Sequence, residues 1–143
     1  VSRILAIDYG MKRVGIAVTD PLQLIANALT TVATPEIFKY LTGYLKSEVV
    51  ELFVVGMPRR MNNELSQVSG EIDEFIEKLK KHFPQIPVEI IDERFTSKIA
   101  FRAMIDGGVK KMDRRNKATV DMVSATIILQ SYMEGRSITQ KRT

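Results

Sequence analysis

Three acidic side chains stand where strand or helix periodicity calls for apolar ones. Asp8 closes the run Ile4-Leu5-Ala6-Ile7-Asp8, and alternation along a strand sets it on the face of Ile4 and Ala6. Asp121 lies in Val120-Asp121-Met122-Val123-Ser124-Ala125-Thr126-Ile127-Ile128-Leu129, a stretch apolar over most of a helical circumference. Ala118, Ala125 and Ile128 share its stripe at helical spacing. Glu93 follows an apolar run beside Asp92 and Arg94, at a strand's carboxyl end, where open α/β sheets bind ligands.

Each acid also has a plainer use. Asp8 suits a turn, because Gly10 follows two residues later. Asp121 suits the positive end of a helix dipole. Asp92 or Glu93 suits a pair with Arg94 or a cap on the next helix. All three converge only around something cationic, because a buried carboxylate must be paired, protonated or bound to metal. The chain has no cysteine and one histidine, His82. Ligation by carboxylates alone selects a hard ion, Mg²⁺ or Mn²⁺, over zinc. Two such ions about 4 Å apart would stabilise the attacking and leaving oxygens of a phosphodiester displacement. The chemistry expected is that of a nuclease with Asp8, Glu93 and Asp121 as catalytic metal ligands.

The basic residues suit a polyanionic substrate. Lys12 and Arg13 fall in the first turn, Arg59 and Arg60 after the fourth strand, and Arg94 beside Glu93. Lys110, Lys111, Arg114, Arg115 and Lys117 crowd the segment before the last helix. Side chains so placed hold phosphates without reading sequence. A solvated loop would show the same charge run. The aromatic residues mostly fit core positions, Phe95 beside Glu93 being the exception.

The elements that must position these groups are legible from periodicity. Arg3 to Tyr9, Arg13 to Thr19 and Leu24 to Val32 read as three strands joined by short turns, hence antiparallel. Thr34-Pro35 opens a helix carrying Ile37, Phe38, Leu41, Tyr44 and Leu45. Leu52 to Val55 is a fourth strand, closed by Gly56-Met57-Pro58. Val68, Ile72, Phe75, Ile76 and Leu79 mark a second helix, reaching about His82, and Val88 to Ile91 a fifth strand. A short helix is expected from Thr96 or Ser97 to Gly107-Gly108, and a last one from near Asp113 to about Met133. Strands linked by helices add in parallel through right-handed crossovers. The fold expected is α/β and ribonuclease H-like, a five-stranded mixed sheet in the order 3-2-1-4-5 flanked by helices. It forms one domain over residues 1–135, with a mobile basic tail at 136–143.

Composition bounds the remaining choices. At 143 residues, 45% of them apolar, the chain can bury a core without disulfides or structural zinc. Without cysteine it has no thiolate nucleophile, iron–sulfur cluster or CxxC chemistry. Its apolar runs fall short of the ~20 residues of a membrane helix, and a cytoplasmic protein is expected. A net charge of +4 favours anionic partners only weakly.

Four motifs, in order, carry a more specific likeness. They are Asp8-Tyr9-Gly10-Met11-Lys12-Arg13-Val14-Gly15-Ile16-Ala17, Gly56-Met57-Pro58, Asp92-Glu93-Arg94-Phe95-Thr96-Ser97 and Lys117-Ala118-Thr119-Val120-Asp121. Together with Ser124 to Gln130 they resemble the bacterial YqgF (RuvX) family over nearly the whole chain. The resemblance implies a Holliday-junction-resolvase-like fold and a nuclease that matures the 5′ end of pre-16S ribosomal RNA in ribosome biogenesis. It sets Asp8, Glu93 and Asp121 at the family's acidic positions, and ribosomal particles among the partners. Two other functions compete: resolution of four-way DNA junctions, which requires a homodimer where an RNA nuclease can be a monomer, and RNA binding without catalysis.

Overall fold

In a computed structural model, residues 2–57, 67–92 and 117–141 are described. Strands β1 (Arg3–Tyr9), β2 (Arg13–Thr19) and β3 (Ala26–Ala33) form an antiparallel meander. A 3-10 turn at Thr34–Glu36, with Pro35 in its first positions, leads into helix α1 (Ile37–Ser47). Strand β4 (Val50–Met57), helix α2 (Gln67–His82) and strand β5 (Val88–Asp92) follow, and helix α3 (Lys117–Lys141) closes the described chain. The sheet order is β3-β2-β1-β4-β5, with β4 parallel to both β1 and β5, in keeping with the helices that precede and follow β4. The expected helix at 96–108 lies outside the described residues. Among the described residues no helix is long and apolar enough to cross a membrane.

Period-two alternation assigns each strand's side chains to two cores. Leu5, Ile7, Val14, Ile16, Phe53 and Val55 pack on one face against Ile37 and Leu41 of α1 and Ile72, Phe75 and Leu79 of α2. Ile4, Ala6, Ala17, Leu52 and Val54 pack on the other face against Ala125, Ile128 and Leu129 of α3.

Two boundaries differ from the periodicity. β3 starts at Ala26 rather than Leu24, because Asp20 captures the preceding segment: its Oδ1 accepts from the backbone N–H groups of Leu24 and Ile25, each at 2.8 Å, and its Oδ2 from Leu22. Gln23 takes the left-handed backbone conformation (φ 58°) that this loop requires. The other difference is at the C-terminus, where α3 runs to Lys141, past the expected stop near Met133 and through most of the segment expected as a tail. Arg136 to Lys141 holds no proline or glycine to end it.

One contact fixes how closely α3 meets the sheet. A Cβ added at Gly15 would lie 2.1 Å from the carbonyl oxygen of Asp121 and 3.0 Å from its Cβ. Helix backbone therefore rests directly on strand backbone, and only glycine fits beneath it.

Two outcomes are expected. Gly15→Ala should cost about 1–3 kcal/mol in urea unfolding, whereas Gly43→Ala, exposed in α1 with nothing within 4 Å of an added Cβ, should stabilise by about 0.5–1 kcal/mol. The Asp20 carboxyl is held below its ordinary pKa, chiefly by the backbone N–H of Ile25 and then by that of Leu24. A depressed folded pKa means that its contribution is complete above the unfolded value and is lost as pH falls through the folded one. Amide protection at Leu24 and Ile25 should fall in that acid window, and Asp20→Asn should abolish the step.

Candidate functional site

Asp8 is inside β1, paired across the ladder with Gly15 of β2, and so does not initiate a turn. Directly opposed residues of an antiparallel pair share a face, with Cβ atoms about 4.5–5.5 Å apart. Asp8 thus lies on the α3 side with Ile4 and Ala6, and Gly15 on that side touches the backbone of Asp121. The Cβ atoms of Asp8 and Asp121, more than a hundred residues apart in sequence, are brought within roughly 8–9 Å by the geometry of that ladder.

The position of Asp121 follows from helical spacing. Ala125 and Ile128, one and two turns on, are buried against the sheet, so the stripe they define aims Asp121 at the same surface. Its carboxylate does not turn back to cap the helix. Oδ2 accepts a hydrogen bond from Nε of Arg13 at 3.1 Å, an ion pair whose two side chains are 25% and 35% exposed. Arg13 shares the face of Gly15 and Ala17 by strand alternation. The turn before it is pinned to the start of the 3-10 helix: Thr34 donates its hydroxyl to the carbonyl of Gly10 at 2.7 Å and its backbone N–H to that of Lys12 at 3.1 Å. Lys12, next to Arg13 in sequence, is exposed.

The structure brings Asp8, Arg13 and Asp121 together on one face of the sheet, and Lys12 stands in the turn before Arg13. Glu93, Arg59, Arg60, Arg94, Lys110, Lys111, Arg114 and Arg115 lie outside the described residues. The ladder does locate the strand that leads to Glu93. Ile7 is level with Val55, and Val55 with Ile90. β5 therefore ends at Asp92 on the same sheet edge as Asp8, two strand spacings or roughly 10 Å away. Among the described residues no three His, Cys, Asp or Glu side chains form a metal-binding group. The two acids that do meet supply only oxygen donors, and His82 is across the sheet. This donor chemistry fits a hard dication such as Mg²⁺ or Mn²⁺ and does not fit zinc.

The other face carries a feature that sequence reading assigned to the core. A cleft of about 510 Å³ is lined by Tyr9, Phe38, Phe75, His82, Glu71 and Glu74, among others. Tyr9 stacks on Phe75 at 4.7 Å between ring centroids, and Phe38 on His82 at 4.4 Å. Burial pushes the Tyr9 phenol above its ordinary pKa, and the carboxylates of Glu71 and Glu74 push it further. Two carboxylates beside one lysine, Lys78, make this cleft repel phosphate, so the acidic centre on the α3 face is the better place for phosphodiester chemistry.

Arg13 was expected to hold phosphate, and its engagement with Asp121 was not legible. Gly15 was the available signal, since a glycine inside a strand marks a close backbone approach. If the ion pair serves the site rather than the fold, Asp121→Asn should change urea stability by less than about 1 kcal/mol. Ile128→Ala, which removes a side chain packed in the same core as Leu52 and Val54, should cost about 2–5 kcal/mol.

Comparison with known proteins agrees with this architecture. Thermus thermophilus RuvC, solved with a Holliday junction substrate, superposes with a TM-score of 0.61, covering 96% of each chain at 15% identity. A second Thermus thermophilus RuvC structure gives 0.52 over 92% of this chain and 96% of that one, also at 15% identity. Likeness at that identity shows the fold, which is ribonuclease H-like. Relatives named as pre-16S rRNA nucleases are far closer in sequence. That of Bacteroides thetaiotaomicron is 57% identical over 95% of this chain and 99% of its own, and that of Christiangramia forsetii is 56% identical over 93% and 98%. The family model described as RuvX, Holliday junction resolvase, matches residues 2–135, and the chain belongs to that family of nucleases.

Proposed function

We propose that this chain is a divalent-metal-dependent endonuclease that trims the 5′ end of pre-16S ribosomal RNA. The observation that carries the reading is the meeting of Asp8 and Asp121 on one face through Gly15. The pre-16S substrate is supported by relatives above 50% identity that share the whole length of the domain.

Asp8 and Asp121 would hold the metal, with Glu93 from the end of β5 as the third acid. A bound Mg²⁺ or Mn²⁺ supplies charge neutralisation at the cleaved phosphate and a water acidic enough to attack it. The protein's own part is positional. β1 fixes Asp8 by its ladder to β2, and α3 fixes Asp121 by packing Ala125 and Ile128 beneath it. Lys12 at the exposed turn contacts the backbone of the substrate. Arg59, Arg60, Arg94, Lys110, Lys111, Arg114 and Arg115 extend the same sequence-independent grip. A chain that works alone in this way needs no second active site, so a monomer suffices. Ribosomal particles that carry the precursor are its partners, in the cytoplasm.

Junction resolution is the second reading, favoured by the description of the family model. An RNA fragment spanning the 16S 5′ boundary and a four-way DNA junction, incubated separately with Mg²⁺, distinguish the two. Cleavage of the RNA at one site, lost in EDTA and reduced at least a hundredfold in Asp8→Asn with RNA binding intact, is expected. Symmetric cutting of the junction with the RNA untouched would replace this reading by the second. Persistence of RNA cleavage in EDTA would remove the metal from the mechanism.

A further inference from the structure

We propose that Arg13 is an internal counter-cation of the acidic centre, paired with Asp121, and that it tunes how tightly the centre takes a divalent ion. The inference rests on the reading of Asp8 and Asp121 as metal ligands and adds a positioning residue that this reading lacked.

Arg13, Gly15 and Ala17 share one face of β2, and Gly15 is the residue over which Asp8 and Asp121 meet. Alternation therefore plants a permanent positive charge two residues from the centre, on the same side. Its guanidinium reaches Asp121 Oδ2 at 3.1 Å through Nε. Two carboxylates held this close by backbone geometry repel each other, and the ion pair offsets that repulsion when no metal is bound. The contact also fixes the rotamer of Asp121 at the edge of the sheet, where the side chain is a quarter exposed.

A dication and a guanidinium compete for this carboxylate. Both are attracted to it and they repel each other, so metal loading weakens the Arg13 contact and Arg13 weakens metal binding. Among the described residues only Nε of Arg13 has an acceptor, which leaves the terminal nitrogens of the fork for an anion. A phosphate oxygen is the acceptor a guanidinium pairs with well, through two parallel N–H donors. Substrate that draws Arg13 onto its phosphate frees Asp121 for the metal. Metal and substrate then bind cooperatively, and by linkage each raises the affinity of the other by the same factor. The arrangement offsets the charge of Asp121 in the metal-free centre and ties full metal occupancy to the presence of a phosphodiester.

The test is Mn²⁺ binding by calorimetry without nucleic acid, on wild type, Arg13→Gln, Arg13→Lys and Asp8→Asn. Arg13→Gln should bind Mn²⁺ about three- to tenfold more tightly than wild type. Arg13→Lys, which keeps the charge but not the planar fork, should fall between them, and Asp8→Asn should bind far more weakly. In thermal melting, Arg13→Gln should lie below wild type in EDTA and gain more from added Mg²⁺. A merely structural arginine would lower metal affinity or leave it unchanged, so either result in Arg13→Gln, with wild-type binding intact and dependent on Asp8, overturns the role of Arg13 alone. Absence of Mn²⁺ binding from wild type and Arg13→Gln alike overturns the metal-ligand reading and this inference with it.

Discussion

The site depends on backbone-to-backbone contact between α3 and β2 at Gly15. No side chain can stand at that position, because its first atom would occupy the space of the Asp121 carbonyl. Since Asp8 is the ladder partner of Gly15, one steric fact locates two acids that come from opposite ends of the sequence. A larger residue there would force the helix and the strand apart.

The close approach is prepared by a gradation of side-chain size across the α3 face. Toward the carboxyl edge, β1 presents Ile4, Ala6 and Asp8, and β4 presents Leu52, Val54 and Gly56, while the antiparallel β2 presents Ala17 and then Gly15. The helix answers with Leu129 and Ile128 over the bulky end, and with Ala125 and Asp121 toward the small end. Apolar packing at the wide end supplies the burial that holds the helix. Small residues at the narrow end let its backbone descend. Stability and chemistry therefore reside in different turns of the same helix, which is how a fold carries a charged site without drawing on it for cohesion.

The gradation also explains what could be read from the sequence. Strand and helix assignments followed from periodicity, and the sheet order from short turns between the first three strands and long crossovers afterwards. Asp8 and Asp121 stood out because each breaks an apolar pattern, a signal that needs no partner to be seen. Pairwise facts were hidden. The Arg13–Asp121 ion pair joins residues 108 positions apart, and no local pattern announces which of several basic residues will reach an acid. The start of β3 was misplaced because Asp20 bonds forward to residues that are apolar in type but looped in conformation. Phe38 and Phe75 read as core from helical spacing and do pack there, but spacing does not show that the layers part beside them into a cleft.

The two faces of the sheet edge offer different surfaces to a polymer. On the α1–α2 side the cleft is aromatic and edged by Glu71 and Glu74, so a phosphate entering it would meet two negative charges. On the α3 side Asp121 is paired with Arg13. A nucleic-acid backbone is highly charged and is held by phosphate contacts with cations along an open edge. Charge near the surface also means that the attraction is screened by salt.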